Sequence, residues 1–495
     1  MKRMLYRQHG RYSIELKFRY LIPRNRKKWR NRFKTKFYFF FPYSFNIDSA
    51  SYPKEHYYED QKLYLRFNTP RLSLQELEES KRSPFLRSGK LIQQSVDTGS
   101  RIDTGKYLYE SKLCGSIYKS TLRDTFFKIR KQLKKEPPEQ WQPEVELILN
   151  RICGLADSFH SFIEKTDEMA EEISYHTRLI DEFISLEMEK NMLWLHDLFC
   201  SVDNGAAFCL RIERILADEM VYRRDRGYAT VSRKGQKAAD LEEYAYRAKI
   251  LKRYASEVLF FNVRRKAQGK RAEHILYAAA AGIAMFFATF VAFIGQTRFD
   301  RLSTSLFILL VVSYMLKDRL KDIFRDLFRK SIGSFFYDRA TSLFDPRERC
   351  RLARIKERVS FMEFNKLPPE IRKIRNRGSF ERFLSDTADE NILVYEKNIR
   401  LNSGTIRRIH SRVRGIAEIN ILGVHRLLRY LGVQRRLVPI VDGGILSTVI
   451  PAKRIYHLNL IVWYQGDDTA FIDRLRLVVD GKGIKRIEKI ESMNP

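Results

Sequence analysis

The sequence predicts a multidomain α+β membrane protein: a transmembrane helical hairpin, a long cytoplasmic helical bundle, and small mixed α/β N-terminal and C-terminal domains. Three observations lead there. Ile275 to Gly295 is a run of 21 residues without a charge, in a chain of 495 residues with net charge +32 and mean hydropathy −0.40. A second apolar run, Leu302 to Leu316, follows after only "QTRFDR". Between residues 144 and 270, apolar residues recur at three- and four-residue spacing, whereas strand-like alternation appears toward the two ends of the chain.

The hairpin, residues 275–316, is justified by length. At about 1.5 Å per residue the first run spans roughly 30 Å, the thickness of bilayer hydrocarbon. The second run reaches a spanning length when taken back to Phe299, which leaves Asp300 and Arg301 at the surface. A short connection makes the helices antiparallel, and in lipid each helix satisfies its own backbone hydrogen bonds. Arg264, Arg265, Lys266, Lys270 and Arg271 precede the first run. Lys317, Arg319, Lys321, Arg325, Arg329 and Lys330 follow the second, and only Arg298 and Arg301 lie between. The excess of cations on the flanks puts both termini in the cytoplasm, as in a bacterial inner (cytoplasmic) membrane protein. Ala281, Ala284, Ala288, Ala292 and Gly295 form a face of small residues for helix packing, against the second span or against another copy. Neither run carries a central ionisable residue, which argues against an ion relay.

Residues 1–136 read as a basic mixed α/β cytoplasmic region. "YSIELKFRYLI" alternates as a half-buried strand does, and Glu15, Lys17 and Arg19 interrupt any signal-peptide core. "KFYFFFPYSFNI" is a second strand limited by Pro42, and Ser73 with Glu76 form a capping box. The linker "PRNRKKWRNRFKTK" suits anionic lipid headgroups, with nucleic acid the less favoured partner. "KKEPPEQWQP" marks a boundary.

Residues 144–270 read as a helical bundle with a coiled-coil-like pattern. Ile152, Leu155, Phe159, Phe162, Met169, Ile173, Ile180 and Phe183 form one long seam, with Glu164, Asp167, Glu168, Glu171, Glu172, Asp181 and Glu182 at exposed positions. Gly205 breaks the pattern. A helix follows from Ala206 to about Arg224, and another from near Gln236 that runs on toward the first membrane span. Residues 317–389 read as an amphipathic basic helix and helical linker, with Leu320, Ile323, Phe324, Leu327 and Phe328 on one face. Residues 390–495 read as a small α+β domain with an antiparallel sheet, a hairpin at Asp480-Gly481 and a short helix in "GVHRLLRYLGV".

Catalytic motifs do not emerge. "VDGGILST" has paired glycines but no phosphate-loop lysine, and no G-x-S-x-G elbow occurs. The five cysteines, 114, 153, 200, 209 and 350, have no framework spacing and fit a reducing compartment. His196 and Cys200 share one helical face and Cys209 lies beyond a turn, a weak candidate set of zinc ligands. A core histidine and buried cysteines explain the same residues, and this metal-free reading is preferred. Arg407, Arg408, Arg412, Arg414, Arg435, Arg436, Lys453 and Arg454 are anion-binding candidates, for phosphate or carboxylate or for a headgroup-facing surface. The expectation is a non-enzymatic scaffold, sensor or assembly component. Its partners are the lipid bilayer, anionic headgroups and, through the bundle, a second copy or another protein. An oligomeric hairpin channel and a membrane-tethered enzyme on phosphorylated or nucleic-acid substrates are the alternatives. No cofactor follows from the residues.

Overall fold

The computed structural model describes the chain outside residues 1–3, 23–29, 134–136, 168, 203, 232–237, 269, 299–302, 336, 378–389, 433–434, 443–444, 468 and 494–495. The architecture is mixed α+β and divides into two compact units. The first comprises residues 1–65, 261–409 and 417–495, and the second residues 66–260 and 410–416.

The first unit is built on β-structure. An eight-stranded antiparallel sheet runs in the order β14 (Gly483–Met493), β13 (Ala470–Asp480), β12 (Tyr456–Gln465), β3 (Asn31–Phe41), β8 (Asn391–Leu401), β7 (Arg351–Met362), β6 (Arg339–Phe344), β5 (Asn262–Ala267). A four-stranded sheet runs β1 (Met4–Gln8), β2 (Ser13–Leu21), β9 (Gly415–Gly423), β4 (Gln61–Phe67). The run "FYFFF" is apolar without alternation because β3 is covered on both faces. Phe37 meets Phe18 of β2 edge-on at 5.6 Å, while Tyr38 and Phe40 pack with Ile371 and Ile374 of the short helix Pro369–Arg375. Between the sheets, Lys397 and Glu418 form a fully buried ion pair, and Glu418 also accepts the Tyr20 hydroxyl at 2.8 Å.

The second unit is helical: α2 (Leu74–Glu79), α3 (Pro84–Thr98), α4 (Thr104–Leu133), α5 (Pro138–Asp167), α6 (Glu171–Cys200), α7 (Ala206–Asp225) and α8 (Ala238–Ser256), with α1 (Lys54–Asp60) belonging to the first unit. The capping box at Ser73 and Glu76 forms as expected. Helix α6 is central, and every residue from Ile180 to Met188 is buried.

Several expectations change. The long seam from Ile152 to Phe183 is not one helix, because the chain turns between α5 and α6. Asp181 and Glu182 are buried rather than exposed, since α6 has protein on all sides and basic or hydroxyl groups to meet them. The last bundle helix does not run on into the long apolar helix that starts at Lys270. Strand β5 intervenes, held by β6 from Asn262↔Phe344 to Ala267↔Arg339. Residues 351–362, expected in a helical linker, form β7 and pair with β8. "GVHRLLRYLGV" makes only a single 3-10 turn at Arg426–Leu428. The regions expected as separate N-terminal and C-terminal domains share one sheet, because β3 lies between β12 and β8.

Candidate functional site

Helices α9 (Lys270–Arg298) and α10 (Thr304–Phe335) form an antiparallel hairpin that enters from β5 and returns to β6. Because β5 and β6 are paired, both ends of the hairpin start from the same sheet edge. Its inner seam joins Ala280, Ala284 and Gly295 of α9 to α10. A Cβ at Gly295 would lie 2.7 Å from a Leu309 methyl, and the Ser313 hydroxyl reaches the Ala288 carbonyl at 3.4 Å. The small-residue face, Ala281, Ala284, Ala288, Ala292 and Gly295, is thus partly or fully covered by α10 of the same chain. Small side chains let the two backbones approach closely.

The outer surface of the hairpin is apolar and uncovered. Ile275, Phe286, Phe290, Phe293, Phe307, Ile308 and Met315 are all more than half exposed. A helix apolar on all its faces belongs in a core or in lipid, and these residues have no core around them. Among the described residues, one helix is long and apolar enough to cross a membrane: His274–Arg298, with mean hydropathy 2.1 and only 11% of its apolar window buried. The apolar part of α10, Thr304–Leu316, ends at Lys317, and the extension back to Phe299 lies outside the described residues.

A second uncovered apolar element is the ribbon β10 (Arg435–Asp442) with β11 (Ile445–Lys453), a two-stranded sheet of its own. Register puts Leu437 opposite Pro451 and Pro439 opposite Val449 on one face, with Val438 opposite Ile450 on the other. All six are exposed, so both faces are apolar. At the base Arg435 lies opposite Lys453, beside Arg436 and Arg454, and all four are exposed.

The tail cations therefore serve different surroundings. Arg407 and Arg408 sit on the short helix Ser403–Ile409, Arg414 is exposed, and four cations form the collar of the ribbon. Arg412 is engaged within the second unit, where its guanidinium donates to both oxygens of Glu110 at 2.9 and 2.5 Å.

At the end of the α6–α7 hairpin, His196, Cys200 and Cys209 bring their ligand atoms within 4.8 Å of one another. The spacing explains this. His196 and Cys200 are one turn apart on α6, while Cys209 lies in the first turn of α7. The connection is tight: a Cβ on Gly205 would sit 2.1 Å from the Phe199 carbonyl oxygen, so glycine is required. The sulfurs of Cys200 and Cys209 are 2.7 Å apart, and either ring nitrogen of His196 lies 3.7 to 3.8 Å from Cys200 Sγ. Glu213, one turn after Cys209, faces His196 Nε2 at 3.0 Å. Sequence reasoning missed Glu213, although its i, i+4 relation to Cys209 repeats that of His196 to Cys200. Burial and the neighbouring Cys200 thiol push Cys209 up to about 11.

The carboxylates of α6 do different work. Asp181 faces His160 of α5 at 2.8 Å and accepts the Tyr222 hydroxyl of α7 at 2.8 Å. Glu182 takes Arg247 of α8, Glu187 takes Lys119 of α4, and Glu189 takes Tyr244 of α8 and Arg223 of α7. Each helix around α6 is thus held by a polar clamp. Burial alone lowers the pKa of His160, but hydrogen bonds to Asp181 and Glu219 outweigh it and lift the ring to about 9.

Compared with known protein families, curated proteins and solved structures, the chain matches none of them.

Proposed function

We propose that this chain is a two-span membrane-anchored scaffold or sensor. The α9–α10 hairpin enters the bilayer, and the two folded units stand on the cytoplasmic, cation-rich side of a bacterial inner membrane. The observation that carries this reading is the hairpin's outer surface, where large apolar side chains of both helices lie uncovered while the small residues are spent on the inner seam. The paired strands β5 and β6 support the placement of both flanks on one side.

The depth of insertion follows from the seam. Ser313 stands beside Ala288, and the Arg325 guanidinium lies 4.9 Å from the Tyr277 ring centre. The zone apolar on both helices is therefore set by Thr304–Leu316, about 20 Å at the α-helical rise. That is thinner than an average hydrocarbon core of about 30 Å. Local thinning and cation side chains reaching outward, here from Lys317 and Arg319, accommodate such a difference. The β10–β11 ribbon fits the same surface. Lipid covers both faces of an apolar ribbon at once, and a basic collar suits anionic headgroups. Partners of the helical unit, or a second copy, would be held near the membrane by this anchor.

The test is extraction and solubility. The full chain should remain with membranes after alkaline carbonate treatment and need detergent to stay monodisperse. Replacing Phe290 and Phe293 by arginine should release it, since each arginine at mid-helix costs about 3 kcal/mol of insertion. A wild-type chain that is monodisperse in detergent-free buffer, with Phe286 and Phe290 buried against itself or a second copy, refutes the proposal.

A further inference from the structure

The α6–α7 turn carries four side chains whose chemistry has no role in membrane anchoring. Their arrangement is H-x3-C on the last turns of α6 and C-x3-E on the first turns of α7. Two i, i+4 pairs on neighbouring antiparallel helices aim four groups at one point, and Gly205 keeps the connection short enough for them to meet. Thiolate and imidazole together select zinc and related soft divalent ions over magnesium or calcium. A histidine that ligates a metal almost always gives its other ring N–H to a carboxylate, a backbone carbonyl or water. Glu213 stands at 3.0 Å from Nε2 in the position for that contact, leaving Nδ1 for the ion. Cys209 is buried and Cys200 exposed, so the site is anchored on one side and open to water on the other.

We propose that His196, Cys200 and Cys209 bind a zinc-class divalent ion, with Glu213 orienting the imidazole and a water or exogenous ligand in the fourth position. Three protein ligands and one open position is the pattern of an exchangeable site rather than a closed one. Binding forms two metal–sulfur bonds and one metal–nitrogen bond and releases the two thiol protons to solvent. The sulfurs lie about 1 Å closer than two ligands of one tetrahedral zinc, a separation that rotation of the exposed Cys200 side chain supplies. The site does not depend on the membrane reading, because all four residues belong to the helical unit.

The experiment uses the detergent-solubilised full chain, reduced and loaded with Zn2+ or Co2+ alone. One equivalent of zinc per chain is expected. Cobalt should give tetrahedral d–d bands with a thiolate-to-cobalt absorption in the near ultraviolet. The double change Cys200→Ser and Cys209→Ser, and His196→Gln alone, should abolish both. Glu213→Gln should retain one equivalent with affinity reduced about 10- to 100-fold. Chelator competition on the unmodified protein gives a readout if a variant fails to fold, and a lower melting temperature on chelation is expected. The proposal is overturned if reduced wild-type protein gives no cobalt–thiolate band, or if the double cysteine variant keeps its metal. It is also overturned if trapping thiols directly in cells finds Cys200 and Cys209 joined as a disulfide.

Discussion

Raising the pH should weaken the helical unit through one residue, His160. Its ring packs at a 31° tilt on Tyr222, with ring centres 3.7 Å apart, and lies between Asp181 at 2.8 Å and Glu219 at 3.6 Å, with its side chain 13% exposed. Burial lowers its pKa, but the two carboxylates outweigh that and raise it from 6.5 to about 9. A group whose pKa is raised on folding stabilises the native state fully below its unfolded pKa, and that contribution is lost as pH climbs through the folded value. The window is therefore pH 6.5 to about 9. Across it the contribution falls by on the order of 3 kcal/mol, with a slope of about 1.4 kcal/mol per pH unit. Urea unfolding followed by the fluorescence of Trp141 and Trp194, both in this unit, measures it. Other titrating groups also contribute, so the decisive quantity is the difference between wild type and His160→Gln. That difference should be largest at pH 6 and vanish near pH 9.5. A difference that stays constant with pH would falsify the assignment of a charged His160 between two carboxylates.

Three further outcomes are expected. Gly295→Ile should destabilise the α9–α10 hairpin by about 1–3 kcal/mol through overpacking against Leu309 and Leu306, while Gly282→Ile, with no atom within 4 Å of its Cβ, should be neutral. Circular dichroism during titration with a denaturing detergent compares the two, and equal losses would argue against the seam. Lys397→Met should cost about 3–5 kcal/mol by leaving Glu418 charged in the core. The double variant with Glu418→Gln should recover most of that in thermal melts, whereas simple addition of the two effects would show the pair to be uncoupled. A tryptophan at Ile440 should be quenched by lipids brominated on their acyl chains once the protein is in vesicles, and more so with anionic lipid present. Quenching by aqueous iodide instead would remove the β10–β11 ribbon from the bilayer.

What could be read from residues alone was local. The charge-free run, the capping box at Ser73, the strand around Phe37 and the hairpin at Asp480 all depend on neighbours in sequence. The i, i+4 spacing of His196 and Cys200 is of the same kind, and Glu213 was equally accessible through its spacing from Cys209. The failures share a cause too. β5 is a basic hexapeptide with every residue exposed, and is a strand only because β6 pairs with it across the whole helical hairpin. β3 finds its partners β8 and β12 hundreds of residues away. Asp181 and Glu182 look like solvated positions because the sequence shows their charge but not His160, Tyr222 and Arg247, which come from other helices. The arginines of the tail show the same limit. Their charge is evident, but Arg412 is committed to Glu110 while Arg435 and Arg436 stand at the foot of a ribbon.

The connectivity bears on how the proposed anchor joins the rest of the fold. The helical unit is inserted after β4, and the chain returns through Phe261 into β5. β5 then leads into α9, and α10 leads back into β6. One strand of six residues therefore carries the chain from the end of the bundle to the start of the hairpin. The β5–β6 ladder pairs all six residues of β5, and a shift of one residue would exchange the faces on which its side chains lie. Every residue of β5 is exposed, so this register is held by the ladder's hydrogen bonds and not by a buried face, the arrangement in which register is least strongly specified. If the proposed scaffold needs its hairpin in a defined relation to the sheet, the β5–β6 pairing is the element that must supply it.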